Sequence, residues 1–160
     1  LGLGYTAGSL SCTGKCRFDY KMCTTDSKLV LNELESTLDS IEIFNGGAAS
    51  VDLSGWVLTD DRVDKLYDPA ADTGKLVFAP GTTLAAKAYL VVKVGVGPGQ
   101  HPFGLGASGD TVTLFKLAGP TIIDSTTYDA DQAIVSFCRN PNGPGGAWTP
   151  DCTATMGAAN

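Results

Sequence analysis

From Lys28 onward, apolar and polar residues alternate in short runs, and each run is stopped by Gly, Pro or Asn. Alternation with a period of two places successive side chains on opposite faces of an extended chain, so each run predicts a strand with one buried face. Leu29-Val30-Leu31-Asn32-Glu33-Leu34 is the first. Ser40-Ile41-Glu42-Ile43-Phe44 follows and stops at the turn signal Asn45-Gly46-Gly47. Val51 and Leu53 lead through Gly55 into Trp56-Val57-Leu58-Thr59, after which residues 60–74 form the longest predicted loop. Leu76-Val77-Phe78 resumes the pattern. Tyr89-Leu90-Val91-Val92-Lys93-Val94 is apolar on both faces, which predicts a central strand. Thr111-Val112-Thr113-Leu114-Phe115-Lys116 and Ile122-Ile123-Asp124-Ser125-Thr126-Thr127-Tyr128 form a hairpin closed by Gly119-Pro120, and Ile134-Val135-Ser136-Phe137-Cys138 completes the series. About nine strands at roughly 8–12-residue spacing predict an all-β sandwich or barrel. The predicted core contains Ile41, Ile43, Trp56, Leu90, Val92, Val112 and Leu114. A turn of helix fits only around Leu34 to Leu38. Trp56 reads as a core residue in preference to a ligand-stacking one, and the role of Trp148 is left open.

Composition agrees with strands joined by turns. Of 160 residues, 43% are hydrophobic and 18% charged, enough apolar surface to offset the ordering of the backbone, while 20 glycines and eight prolines interrupt it throughout. The balance of 17 acidic against 11 basic residues gives a formal charge of −6. Such a surface repels phosphate backbones, so nucleic acid is not an expected partner. No apolar run approaches the ~20 residues of a membrane-spanning helix.

Five cysteines divide into Cys12, Cys16 and Cys23 at one end and Cys138 and Cys152 at the other. Cys138 and Cys152 flank Asn140-Pro141-Asn142-Gly143-Pro144-Gly145-Gly146, which must reverse the chain, so a disulfide between them is expected. The odd number leaves one half-cystine over. The chain starts at Leu1 without methionine, and the expectation is a piece of a longer polypeptide, with the missing partner upstream. A zinc site at Cys12, Cys16 and Cys23 is the weaker reading, because the one histidine, His101, is remote in sequence. Residues 1–26 are too few for a core of their own and are read as a small disulfide-stapled segment, separate from a main domain over residues 27–160.

The chemistry of catalysis is poorly represented. His101 stands before a proline in a glycine-rich loop and reads as a solvated side chain, and there is no Gly-x-Ser-x-Gly, His-Glu-x-x-His or phosphate-loop motif. The expectation is a protein that is not an enzyme. Asp60, Asp61, Asp64, Asp68 and Asp72 crowd one loop. Either this is an ordinary solvated acidic loop, or Asp60, Asp61 and Asp64 contribute to a weak extracellular Ca²⁺ site, the one cofactor that the residues suggest.

Several pieces in this order resemble the lamin-tail domain family: LVLNELE, SIEIFNGG, VDLSGWVLTDD, FAPGTTLAAKAYLVV, SGDTVTLF, IIDSTTYD, and CRNPNGPGGAW followed by TMGAAN. The resemblance spans residues 28–160 and implies an immunoglobulin-like β-sandwich. The stretch LGYTAGSLSCTGKCRFDYKMC resembles the end of a cysteine-rich repeat of surface and secreted bacterial proteins. In that repeat a further cysteine stands just before the LGY-type segment, which accounts for the odd count. Together these resemblances imply a secreted or cell-surface bacterial module that binds a protein or an envelope component. The alternative is an accessory domain of a larger exported hydrolase, a nuclease or phosphoesterase, whose catalytic domain lies outside the chain. The nuclear role of animal relatives fits neither the cysteine-rich start nor the lack of heptad repeats.

Overall fold

In the computed structural model the described residues are 28–61, 63, 67–117 and 121–160, with the backbone of 11–12 and 18–19. Eleven strands follow Lys28, and among the described residues there is no helix. They are β1 (Leu29–Glu35), β2 (Ser40–Asn45), β3 (Val51–Asp52), β4 (Trp56–Thr59), β5 (Leu76–Val77), β6 (Thr83–Leu84), β7 (Tyr89–Lys93), β8 (Gly109–Lys116), β9 (Thr121–Asp129), β10 (Phe137–Asn140) and β11 (Ala147–Thr149). One sheet has the order β9-β8-β4-β5 and the other β11-β10-β1-β2-β7, while β3 and β6 pair separately. Every pairing of strands is antiparallel. Ahead of them, Ser11–Cys12 pairs with Phe18–Asp19.

The inner faces of the two large sheets close on one apolar core. Leu29, Leu31, Leu34, Ile41, Ile43, Val92 and Phe137 from the five-stranded sheet meet Trp56, Leu58, Leu76, Val112, Leu114 and Tyr128 from the other, with Leu90 partly buried against them. A second, smaller cluster lies on the outer face of the four-stranded sheet, where Val63 and Tyr67 cover Val57 and Phe115.

The first strand explains an irregularity in its own sequence. Leu29 and Leu31 alternate inward, yet the next inward leucine is Leu34, three positions on. The β1–β2 register absorbs this with an extra residue, since Leu31 lies opposite Ile43 and Glu33 opposite Glu42. Asn32 is the inserted residue, and a bulge of this kind swaps the faces of everything after it. A similar shift in the β8–β9 ladder passes over Ile123.

Four expectations about secondary structure change. The run Tyr89 to Val94 predicts a central strand, but β7 is the edge of the five-stranded sheet. On its outward face the apolar Val91 lies beside Gly157, from the residues after Cys152. Ile134 and Val135 lie in an exposed connection before β10, which starts only at Phe137. Leu34 belongs to β1, and Ser36 to Asp39 form a turn in which Asp39 takes the left-handed conformation, φ 47°. The short pairings β6 and β11, which no predicted run covers, bring the strands to eleven, against about nine expected from pattern.

The expected Cys138–Cys152 disulfide is present, closing a sequence separation of 14 across the β10–β11 hairpin. The side chains of Cys12, Cys16 and Cys23 lie outside the described residues, so the expected stapling of the first segment lies outside them too. Trp148 on β11 acquires a role as the closure of one open side of the sandwich. It stacks on Phe137 at 4.9 Å between ring centroids, and the Arg139 guanidinium lies over its ring at 4.8 Å. Arg139 also forms the one ion pair among the described residues, 2.9 Å to Asp124 of β9, and donates to the Leu31 carbonyl at 2.8 Å. It thereby joins the two sheets.

Replacing both Cys138 and Cys152 with alanine is expected to lower stability by about 3 kcal/mol, the chain-entropy value for a loop of roughly this length. Urea unfolding of the purified pair variant, with folding confirmed by circular dichroism, measures the loss.

Candidate functional site

Polar and ionisable side chains gather in three places, each positioned by a different part of the sandwich. The first is the outer face of the five-stranded sheet. Glu33 and Glu42 are directly opposite each other on β1 and β2, and both are fully buried, as is Asn32 beside them. Glu42 Oε1 accepts from Asn32 Nδ2 at 2.8 Å and Oε2 from the Gly157 amide at 2.5 Å. Glu33 accepts from Ser136 Oγ at 2.6 Å and from both the amide and hydroxyl of Thr155, each at 3.1 Å. The amide side chain of Asn32 is used fully. Its Nδ2 also donates to Asn142 Oδ1 at 2.7 Å and its Oδ1 accepts the Gly143 amide at 2.9 Å. Gly143 has φ 89°, and a Cβ there would stand 3.0 Å from the Phe44 ring, so glycine alone suits this approach. Burial raises the Glu42 pKa, and Glu33 adds to the effect, while the hydrogen bonds from Gly157 and Asn32 oppose it.

The second place is one end of the sandwich, where the β1–β2 turn meets the connections after β7 and after β9. Ser36 N donates to the Ala133 carbonyl at 2.7 Å, Thr37 Oγ1 to that of Ile134 at 2.6 Å, and Val94 N to that of Asp39 at 3.1 Å. Asp39 Oδ1 in turn accepts the Leu105 amide at 2.6 Å. His101 is at the centre of this framework. The sequence predicts a solvated loop histidine, but the ring is fully buried, stacked on Phe103 at 4.2 Å. Its Nδ1 lies 2.9 Å from the Phe103 carbonyl and its Nε2 2.8 Å from that of Asp39. A neutral ring can donate to only one of these oxygens. Burial lowers the His101 pKa, and the two carbonyls, which favour the charged ring, only partly offset that. With both nitrogens occupied inside the fold, His101 holds loops in place and touches no open surface. Around it the same three loops expose Leu38, Val94, Val96, Ile134 and Val135 to solvent.

The third place is the acidic loop. Asp72 Oδ2 accepts from Thr59 Oγ1 at 2.9 Å and from the Tyr67 hydroxyl at 2.7 Å, and its Oδ1 accepts the Gly74 amide at 2.8 Å. Asp68 accepts the Ala70 amide at 2.9 Å. These two acids therefore serve to shape the loop. The Asp60 carboxyl is pushed up to about 6, by burial first and then by Asp110, Asp61 and Asp72. Asp61 is exposed, and Asp64 lies outside the described residues. Among the described residues no three His, Cys, Asp or Glu side chains gather as metal ligands. The expected Ca²⁺ trio is thus represented here only by Asp60 and Asp61.

The sequence reading missed the Glu33–Glu42 pair, although a signal was available. Both acids alternate with apolar residues in strongly β-forming runs, so they face away from the core; that this outer face is itself buried depends on the residues after Cys152.

Two antiparallel sheets packed face to face, with polar side chains spent on holding loops and the chain after β11, define an immunoglobulin-like structural module. No helix among the described residues is long and apolar enough to cross a membrane. The chain matches the Lamin Tail Domain family over residues 24–130 of its 160, and it belongs to that family, whose members are immunoglobulin-like and generally non-catalytic. No curated protein matches the chain.

Two measurements check these assignments. With its pKa depressed from 6.5, His101 takes up a proton less readily in the folded chain than in the unfolded one. Stability is therefore expected to be lost as pH falls from about 6.5 through the lowered value. In His101→Gln this part of the urea-unfolding profile should flatten, with the fold intact by circular dichroism. Arg139→Ala leaves Asp124 half-buried without its cation and is expected to cost about 3 kcal/mol by the same assay, more than a surface ion pair would.

Proposed function

We propose that this chain is a non-catalytic interaction module of a secreted or cell-surface bacterial protein, and that it binds a protein or envelope component through the loop end built around His101. The observation that carries this reading is the exposed aliphatic group Leu38, Val94, Val96, Ile134 and Val135. Leu38 is 61% exposed and Val96 fully so. Single exposed aliphatic residues are normal on any protein, but a group on three interlocked loops of one end is a recognition surface. These loops have little freedom to collapse inward, since hydrogen bonds through Ser36, Thr37, Asp39 and Val94 tie them together. A surface held ready in this way loses little entropy on binding. The Cys138–Cys152 disulfide supports an oxidising location, where such bonds persist.

The test is co-sedimentation of the full chain with envelope fractions of the bacterium that encodes it, compared with the double variant Leu38→Ser/Val96→Ser. Both side chains are exposed, so the melting temperature should stay within a degree or two. Retention by the envelope is expected to fall at least tenfold in the variant. Equal retention of the two proteins, or no retention of either, rejects this surface.

A further inference from the structure

We propose that residues 153–160 form a pH-operated strap, closed over the Glu33–Glu42 pair while the pair holds a proton and lifted when both carboxyls are charged. The geometry for this lies in one row across the outer face of the five-stranded sheet. Cys138 is opposite Glu33, and Glu33 is opposite Glu42. The chain returns over this row after Cys152, whose amide donates to the Ser136 carbonyl at 3.1 Å and whose sulfur is tied to Cys138. Beyond that tie the strap is held to the sheet by the Thr155 amide and hydroxyl on Glu33 and the Gly157 amide on Glu42. It is steadied by Asn160, which donates to the Arg139 carbonyl at 3.0 Å and whose Oδ1, 2.6 Å from Thr155 Oγ1, shares with Glu33 the one proton of that hydroxyl.

Like charges directly opposite each other on paired strands repel, and burial raises the cost because water no longer screens them. A cation would relieve that cost, yet among the described residues every group donating to these two carboxyls is neutral: Ser136, Asn32, Thr155 and Gly157. The other titratable groups facing the pair are Glu35 on β1, which adds negative charge, and Tyr89 and Lys93 on β7. Lys93 bears on Glu35 and is itself exposed, while Arg139 on β10 is spent on Asp124. The strap residues Thr153, Ala154, Thr155, Met156, Gly157, Ala158, Ala159 and Asn160 bring no ionisable side chain. A single proton taken up from solvent is therefore the simplest relief, and the raised pKa of Glu42 agrees with it.

The sign follows from linkage. A carboxyl whose pKa is higher with the strap closed than with the strap open binds its proton more tightly in the closed form. Acid then favours closure, and opening grows as pH rises above the ordinary value of 4.5 through the raised one. For one proton the opening constant climbs by at most about tenfold per pH unit and then levels off. Opening exposes Glu33, Glu42 and the Val91 flank of the edge strand β7, a second face distinct from the aliphatic loop end.

Amide hydrogen exchange of Thr155 and Gly157, measured by NMR on the full disulfide-bonded chain between about pH 4.5 and 8 and divided by the intrinsic exchange rate, gives the opening constant directly. The expected result is a rise of up to about tenfold per unit that levels off, and a flat profile in Glu42→Gln. A flat wild-type profile, or the same slope in Glu42→Gln and Glu33→Gln as in the wild type, overturns the proposal. Should the variants not fold, the side-chain carboxyl carbon shifts of the wild type decide. Titration of Glu42 above the ordinary range, in step with the strap amides, supports the strap; Glu33 and Glu42 both titrating normally, with the strap amides unmoved, sinks it.

Discussion

The β1–β2 hairpin is buried on both faces, although only one face looks into the apolar core, and this double burial sets the terms for the rest of the molecule. Inward, Leu29, Leu31, Leu34, Ile41 and Ile43 need nothing beyond apolar neighbours. Outward, Asn32, Glu33, Ser40 and Glu42 are just as inaccessible and must find hydrogen-bond partners, because a buried polar group without one costs more than a made hydrogen bond returns. Asn45, at the end of β2, is equally buried, and its side chain reaches the carbonyls of Ala49, Leu84 and Ala85 while accepting the Gly47 amide. The partners come from chain segments distant in sequence. Residues 142–143 answer Asn32, residues 155–157 answer the two glutamates, and residues 84–85 answer Asn45.

That arrangement accounts for the importance of the chain beyond β9. Residues 137–160 supply the two remaining strands of the five-stranded sheet, the disulfide, the Trp148–Arg139 closure of the open side and the cover of the outer face. The opposite arrangement holds at the loop end. There the histidine and Asp39 are spent internally on fixing the loops, and aliphatic side chains are left outside. Polar groups inside and apolar groups outside invert the usual distribution.

Much of the sandwich was legible because alternation is a local property. Ile41 and Ile43, or Val112 and Leu114, declare their shared face without knowledge of anything else, and the Asn45-Gly46 stop needs only backbone sterics. The Cys138–Cys152 bridge was legible for a related reason, since the turn between the two cysteines forces their approach. Where the reading departed from the structure, the missing information was long-range. Tyr89 to Lys93 looked central because its second face is apolar, and nothing nearby in sequence says that residues after Cys152 cover it. His101 looked solvated because it precedes a proline in a glycine-rich loop, whereas its ring bonds the carbonyl of Asp39, 62 positions earlier. Ile134 and Val135 looked like strand because β propensity does not distinguish a paired edge from an exposed connection.

By itself, then, the amino-acid order determined an all-β chain, the inward face of each long strand, the principal turns and one disulfide, all consequences of steric and hydrophobic preferences that act within a few residues. Tertiary structure alone decided which strand became an edge, which acids became buried, and what each buried polar atom would bond to. The reason is that burial is a property of two surfaces, and the second surface is contributed by residues up to 122 positions away.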